Sequence, residues 1–236
     1  MPYALVTGCD HGLGPALVRG LVLRGYEVAA CRLNPEEHLI DDLAREYPGA
    51  IHVYPLDIAS DESVRQLRGL LDMPSLDLLI NCAGILGIME EGPDEPLDFD
   101  LMLKVINVNA LGTLRVTTAL LPLLETGTGK TVINISSEAG SIQDCWRRGW
   151  FGYCMSKSAN NMQGALIHNT LRDMGGQVIQ MHPGHVATYM RGHLDTTAGV
   201  TPEESAAGIL HTVLDIPHPV GSCPLFLDFQ GKTLPY

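Results

Sequence analysis

The chain has 236 residues, enough for one well-buried α/β domain and short for two. Hydrophobic residues make up 45 % and charged residues 18 %, a balance that excludes a disordered chain. Fifteen Lys and Arg face 27 Asp and Glu, and the formal charge of −12 argues against nucleic acid or anionic membrane as a partner while leaving room for a local basic pocket.

The first residues run straight into a strand-like segment, without the basic and long apolar regions of a secretory leader. Short apolar runs then recur at 3–7, 27–31, 51–56, 76–81, 131–136, 178–182 and 225–229. Runs of this length and continuity suit strands buried on both faces of a parallel sheet. Helical spacing fills the intervals: Leu13, Leu17, Leu21 and Val22 after the first run, Leu39, Leu43 and Ala44 after the second, Val64, Leu67 and Leu71 after the third. A long helix is predicted over about 99–124 and another over 151–174. The alternation predicts one domain over 1–236, a doubly wound, seven-stranded parallel sheet with helices on both faces. Two irregular segments, 140–149 and 190–200, fall where such a sheet opens its ligand crevice. The apolar stretch 111–124 is broken by Arg115, several threonines and Pro122, so no membrane span is expected. The six cysteines are scattered and form no Cys-x-x-Cys pair, which suits reduced thiols in a cytoplasmic protein.

The first strand ends in Thr7-Gly8-Cys9-Asp10-His11-Gly12-Leu13-Gly14. Gly8 permits a sharp bend, Gly12 lets the backbone approach a pyrophosphate, and Gly14 allows close helix packing. The helix that follows offers free N–H groups and a positive dipole end to phosphates. The second strand ends in Ala29-Ala30-Cys31-Arg32, with arginine where an acid would bond the ribose hydroxyls of NAD. A guanidinium there takes the extra phosphate of NADP, so NADP(H) is expected over NAD(H), with His11 a second candidate contact. An ordinary βα turn and a solvated arginine are the bland alternatives.

Tyr153 and Lys157 are four apart in a predicted helix, which puts both side chains on one face. A lysine cation beside a tyrosine favours the phenolate and lowers its pKa toward neutrality. Alone the pair means little, but it has company. Ile133-Asn134-Ile135-Ser136-Ser137-Glu138-Ala139-Gly140 ends strand five, Asn81-Cys82-Ala83-Gly84 ends strand four, Asn107-Val108-Asn109-Ala110-Leu111-Gly112 lies in the long helix, and His182-Pro183-Gly184-His185-Val186-Ala187-Thr188 ends strand six.

In content, order and spacing, over nearly the whole chain, these elements resemble the short-chain dehydrogenases, with their Rossmann-like fold. The resemblance implies that Tyr153 exchanges the substrate proton and that Lys157 bonds the nicotinamide ribose and lowers the tyrosine pKa. Ser137, rather than Ser136, would polarise the carbonyl, and Asn109, rather than Asn107, would hold a water in the proton relay. Asn81, Ala83 and Gly84 would line the cofactor, Asp57 with the adjoining Ile58 would meet the adenine, and Pro183, Gly184, Val186 and Thr188 would flank the nicotinamide. Within the family, Tyr153-x-Met155-Ser156-Lys157-Ser158-Ala159-Asn160, the His-Pro-Gly sequence, Thr201-Pro202-Glu203-Glu204-Ser205 and the ending Gly231-Lys232-Thr233-Leu234-Pro235-Tyr236 are similar to the C-factor-like carbonyl reductases. His185 departs from a common tryptophan, and the loop before Tyr153 is unusually rich in Trp and Arg.

The reaction implied is NADP(H)-dependent reduction of a ketone or aldehyde, or its reverse, by a homodimer or homotetramer. The main rival is a non-catalytic dinucleotide-sensing or signalling protein on the same fold. An epimerase or dehydratase with an added substrate domain would need a longer chain, and a methyltransferase has no use for Tyr-x-x-x-Lys. The nine histidines suggest no metal site: His182 and His185 merely flank a Pro-Gly turn. Trp146, Arg147, Arg148 and Trp150 wall a substrate pocket or bind a carboxylate, or else belong to a solvated loop with aromatic anchors. Met190 and Leu194 belong to a lid or to buried packing.

Overall fold

The computed structural model describes residues 1–89 and 92–236. Seven strands form one sheet: β1 (Tyr3–Thr7), β2 (Glu27–Arg32), β3 (Ile51–Pro55), β4 (Leu78–Asn81), β5 (Thr131–Ile135), β6 (Gln177–His182) and β7 (Leu225–Asp228). Their spatial order is β3-β2-β1-β4-β5-β6-β7, and every neighbouring pair is parallel. The order reverses direction between β1 and β4, so the loops leaving these strands part there and open a crevice at their carboxyl ends.

Both faces of the sheet are apolar, which is why the strands read as continuous runs. Ala4 and Val6 of β1 point to one side and Leu5 to the other. The first side is covered by α1 (Leu13–Val22), α2 (Leu39–Glu46) and α7 (Pro202–Leu210), through Leu17, Leu21, Ile40 and Ile209. The second is covered by α3 (Asp61–Leu70), α5 (Thr113–Thr126) and α6 (Phe151–Arg172), through Leu67, Leu120, Leu124 and Leu171. Helix α7 starts on a capping box, in which Thr201 Oγ1 accepts from the Glu204 amide while Glu204 accepts from the Thr201 amide, with Pro202 in the first turn.

The long helix expected at 99–124 is continuous but not uniform. It consists of α4 (Phe99–Ile106), a π-helical stretch (Asn107–Gly112) and α5, which carries Pro122 inside it. A π-turn inserts an extra residue into the helical ladder and re-aims the side chains around it, a device common at functional sites. Gly112 sits in this stretch because Ile58 leaves no room for a Cβ, which would lie 2.9 Å from the Ile58 side chain. Among the described residues no helix is long and apolar enough to cross a membrane.

Candidate active site

The turn after β1 is built against the two loops that flank it. Thr7 Oγ1 accepts the N–H groups of Cys82 at 3.0 Å and Ala83 at 3.1 Å, tying the β1 end to the β4 end. Gly8 has φ +74°, and a Cβ on it would strike the Ala83 Cα at 2.7 Å. Gly12 has φ +65° and backs onto the Thr188 methyl, and a Cβ on Gly14 would lie 2.2 Å from the Gly8 carbonyl oxygen. The glycines therefore let three loops close on one another. Helix α1 opens from this turn without a side-chain cap and with no acid in its first turn. Its first amides lack a side-chain acceptor, and a pyrophosphate is the group such a cradle fits. Leu13 contributes to that cradle only through its backbone, since its side chain is in the core.

Across the crevice, β5 delivers Ser137 and α6 delivers Tyr153 and Lys157. Ser137 lies beside the Tyr153 phenol, where its hydroxyl favours the phenolate. Lys157 is 4 % exposed; its Nζ donates to the Ile135 carbonyl at 2.7 Å and lies 5.6 Å from the Tyr153 ring centre. Asn109, in the π-helical stretch, donates from Nδ2 to the Ile85 carbonyl at 2.8 Å and to Ser156 Oγ at 3.0 Å, and its Oδ1 accepts from the Ile85 amide. A Cβ on Gly84 would meet Asn109 Oδ1 at 3.1 Å and Lys157 Nζ at 3.8 Å, so the β4 loop, the π-turn and α6 converge on one spot. The arrangement is a buried cation, a phenol and a hydroxyl at the edge of the crevice. It can polarise a carbonyl and move one proton to or from its oxygen.

The short chain dehydrogenase family model matches residues 2–199. Among curated relatives, 1-hydroxy-2-glutathionyl-2-methyl-3-butene dehydrogenase of Rhodococcus sp. (strain AD45) is 34 % identical over 90 % of this chain and 91 % of its own. The chain belongs to the short-chain dehydrogenase family. It is an oxidoreductase of the CH–OH/C=O type that uses NAD(P). This dehydrogenase is also 36 % identical to C-signal of Myxococcus xanthus, over 68 % of the chain and 93 % of that protein. It matches human retinol dehydrogenase 5 at 35 % over 79 % of its length, and spans only 57 % of that longer protein. Of solved structures, NADPH-bound carbonyl reductase from chicken fatty liver superposes with a TM-score of 0.86 at 30 % identity, covering 100 % of this chain and 94 % of that one. A short-chain dehydrogenase/reductase of Burkholderia multivorans with bound NADP gives 0.88 at 25 %, covering 100 % and 99 %.

The remaining candidate residues of the dehydrogenase divide into those at the crevice and those turned from it. Ser136, the serine passed over in favour of Ser137, is buried and donates to Asn161 Oδ1 at 2.6 Å. Asn107, passed over for Asn109, meets Arg115 instead. Asp57 accepts from the Ala59 amide and, with Ser63, shapes the turn after β3; Ile58 is buried under the π-turn. Gly184 has φ +84° and backs onto the Phe229 ring, the Pro183 carbonyl accepts from Ser205, and Val186 bridges to Val200. His11 packs edge-on against Tyr189, 5.6 Å between ring centres. Three findings depart from expectation. The Asn81 side chain does not reach into the crevice: its Nδ2 donates to Thr117 and Asn134, both buried, and joins β4 to α5 and β5. Arg32 turns toward α2, donating to Asp41 Oδ2 at 2.5 Å and the Glu37 carbonyl at 2.7 Å. Tyr153 is not lowered toward neutrality by these protein groups. Burial pushes it up to about 12, outweighing the Ser137 hydroxyl and the charge of Arg147, while burial pulls Lys157 down to about 8.

Sequence reasoning gave no role to Thr7, Asp10 or Ser156. Asp10 accepts the amides of Leu33 and Asn34 and so pins the loop after β2. Ser156 orients Asn109 from inside Tyr-x-x-x-Lys, three residues after the tyrosine whose carbonyl it bonds. Asp195 holds the segment after Thr188 through His185 at 2.9 Å and through Thr197. Among the described residues no group of three or more His, Cys, Asp or Glu is placed to hold a metal ion.

Proposed function

We propose that the chain is an NADP(H)-dependent carbonyl reductase, running in reverse as an alcohol dehydrogenase, with Tyr153 as its proton-transfer residue. The observation that carries this reading is the buried Tyr153 phenol beside Ser137 and the buried ammonium of Lys157. The dinucleotide supplies or accepts the hydride when bound. Ser137 positions the carbonyl oxygen, and Tyr153 gives it a proton. A phenol held neutral by burial is in the form that reduction needs at neutral pH. Lys157, held to the Ile135 carbonyl, is placed to bond the nicotinamide ribose and to stabilise the phenolate as it forms. Asn109, fixed by Ile85 and Ser156, lines the same spot and would hold a relay water. Gly8, Gly12, Leu13 and Gly14 would cradle the pyrophosphate, Asp57 and Ile58 the adenine, Ala83 and Gly84 the ribose side, and Pro183, Gly184, Val186 and Thr188 the nicotinamide. Asn81 would serve through its backbone alone.

NADP(H) is favoured over NAD(H) because Arg32 stands at the end of β2 and two similar structures carry NADP or NADPH. Asp41 holds only Nη1 of Arg32, so the other guanidinium edge is available to a phosphate. Phe99 and Leu103 on α4, and Met155, Met162 and Leu166 on α6, are exposed apolar residues on helices that pack together. They support a homodimer or homotetramer joined through these helices. Six unbridged thiols suit a cytoplasmic setting. The rival reading, a non-catalytic signalling role, has only the likeness to C-signal behind it. The test is a panel of aldehydes and ketones with NADPH, followed by absorbance. Steady oxidation of NADPH that depends on the carbonyl supports the reductase; tight dinucleotide binding without turnover of any carbonyl favours the signalling role.

A further inference from the structure

The chain has two tryptophans, Trp146 and Trp150, and both attend one guanidinium. The Arg147 guanidinium carbon lies 4.6 Å from the Trp146 ring centre and 4.9 Å from that of Trp150. Trp150 in turn meets the Tyr153 ring edge-on, 6.2 Å between centres. A guanidinium stacked on indoles presents its N–H donors around its planar edge. On that edge Glu138, the neighbour of Ser137, takes Nη2 at 2.6 Å. Nε is buried and has no acceptor among the described residues, on a side chain only 10 % exposed. An unpaired buried donor on a charged group is costly, and an incoming acceptor removes that cost. Arg148 beside it is exposed and has no ion pair or hydrogen bond among the described residues. Together with Met89 and Gly149 these four side chains line a groove of about 230 Å³, apolar on its indole and methionine walls and cationic on its arginine wall.

We propose that this groove holds the body of the substrate, and that Arg147 and Arg148 receive a carboxylate on it. The proposal rests on the carbonyl-reductase reading and narrows it to carbonyl compounds that carry an acid group. A carboxylate is planar and acceptor-only, which suits the exposed guanidinium of Arg148 and the unpaired Nε–H of Arg147 behind it. The indoles supply the apolar contact that an aromatic or alkyl body needs.

Because both tryptophans line the groove, intrinsic fluorescence reports its occupation directly. The NADP⁺ complex would be titrated with para-carboxybenzaldehyde and with its methyl ester, which keeps shape and loses charge, after correction for ligand absorbance. A charge-assisted contact predicts that the acid binds at least about tenfold more tightly than the ester. Arg148→Gln, an exposed position, should erase most of that preference, and Arg147→Gln should erase it as well or displace Trp150. Equal binding of acid and ester, failure of both to bind, or a preference that survives Arg148→Gln would overturn the proposal. Calorimetry with NADPH and turnover of the ester on the same samples test the reductase reading separately. Ester turnover without a preference for the acid sinks the carboxylate site alone.

Discussion

Lys157→Met should make the fold more stable at neutral pH while removing activity. Burial pulls the Lys157 ammonium from its usual 10.5 down to about 8, so the folded chain holds that proton less firmly than the unfolded chain does. Between pH 8 and 10.5 the unfolded state binds more protons, and stability therefore rises with pH across that window. Below it the ammonium is charged in both states and the fold carries the full penalty. At about 1.4 kcal/mol per pH unit the penalty is about 3 kcal/mol. Methionine removes it and keeps most of the side-chain volume, but it leaves the Ile135 carbonyl without its 2.7 Å donor, a loss of about 1 kcal/mol. The net gain at pH 7 is about 2 kcal/mol, or about 4–8 °C in Tm for a chain of this size. Near pH 10 most of the gain should vanish, because the lysine is then neutral in the folded chain and the small penalty that remains is offset by the lost hydrogen bond. Burial also raises Tyr153, so alkali weakens the fold above the ordinary tyrosine range, but parent and variant share that loss and it cancels in their difference. The assay is thermal unfolding followed by circular dichroism, without dinucleotide, at both pH values. A variant less stable than the parent at pH 7, or an equal difference at both pH values, would refute the reasoning.

Four further outcomes follow from the same geometry. Tyr153→Phe removes one hydroxyl from a packed ring, so calorimetric NADPH binding should persist while turnover falls about 10²–10⁴-fold; a variant retaining most of its activity would return the signalling reading to first place. Arg32→Asp should shift preference toward NAD(H) by removing the phosphate partner and placing a second acid beside Asp41, and unchanged relative affinities in a competition titration would dismiss Arg32 as the determinant. A thiol reagent should reach Cys145 and Cys223 quickly in the native protein and all six cysteines after denaturation without reductant, with Cys9 and Cys31 slowest; fewer than six would mean a bridge. Leu103→Lys with Leu166→Lys should convert an oligomer to monomer by light scattering, and a parent that runs as a monomer contradicts the proposed interface.

The sheet was legible because burial on both faces leaves a strong trace: unbroken apolar runs at regular intervals. Ends were less so. Leu76 reads as strand, yet its amide bonds the Leu123 carbonyl at the end of α5, and β4 begins at Leu78. The i,i+4 spacing placed Tyr153 and Lys157 together, but spacing carries no information about depth, and depth sets both pKa values. The Arg32–Asp41 pair joins a strand end to a helix nine residues later and depends on how α2 docks, which no motif records. The turn of the Asn81 side chain away from the crevice was hidden for a related reason. The residue's place at a strand end is visible in the sequence, whereas the buried Thr117 and Asn134 that claim its amide come from elements 36 and 53 residues away.

This division has a physical origin that bears on the substrate. The dinucleotide side of the crevice is shaped by backbone: glycines whose Cβ positions are filled by Ala83, Thr188 and the turn itself, so a single substitution is felt at once and the motif is rigid. The substrate side is shaped by side chains on the loop from Ser137 to Tyr153, where Trp, Arg and Glu hold one another by stacking and charge. Such contacts can be exchanged without moving the sheet, which is how one chemistry comes to serve many substrates. In this chain two arginines line the groove beside Trp150, which meets the Tyr153 ring, in a protein of net charge −12. Screening at physiological salt confines the influence of that net charge to about 8 Å, so the distant acids do little to oppose an anion already in the groove. The partly buried Arg147, stacked on indoles and short of one acceptor, is screened far less. Selectivity for an acid group therefore falls to the groove and not to the field of the whole molecule.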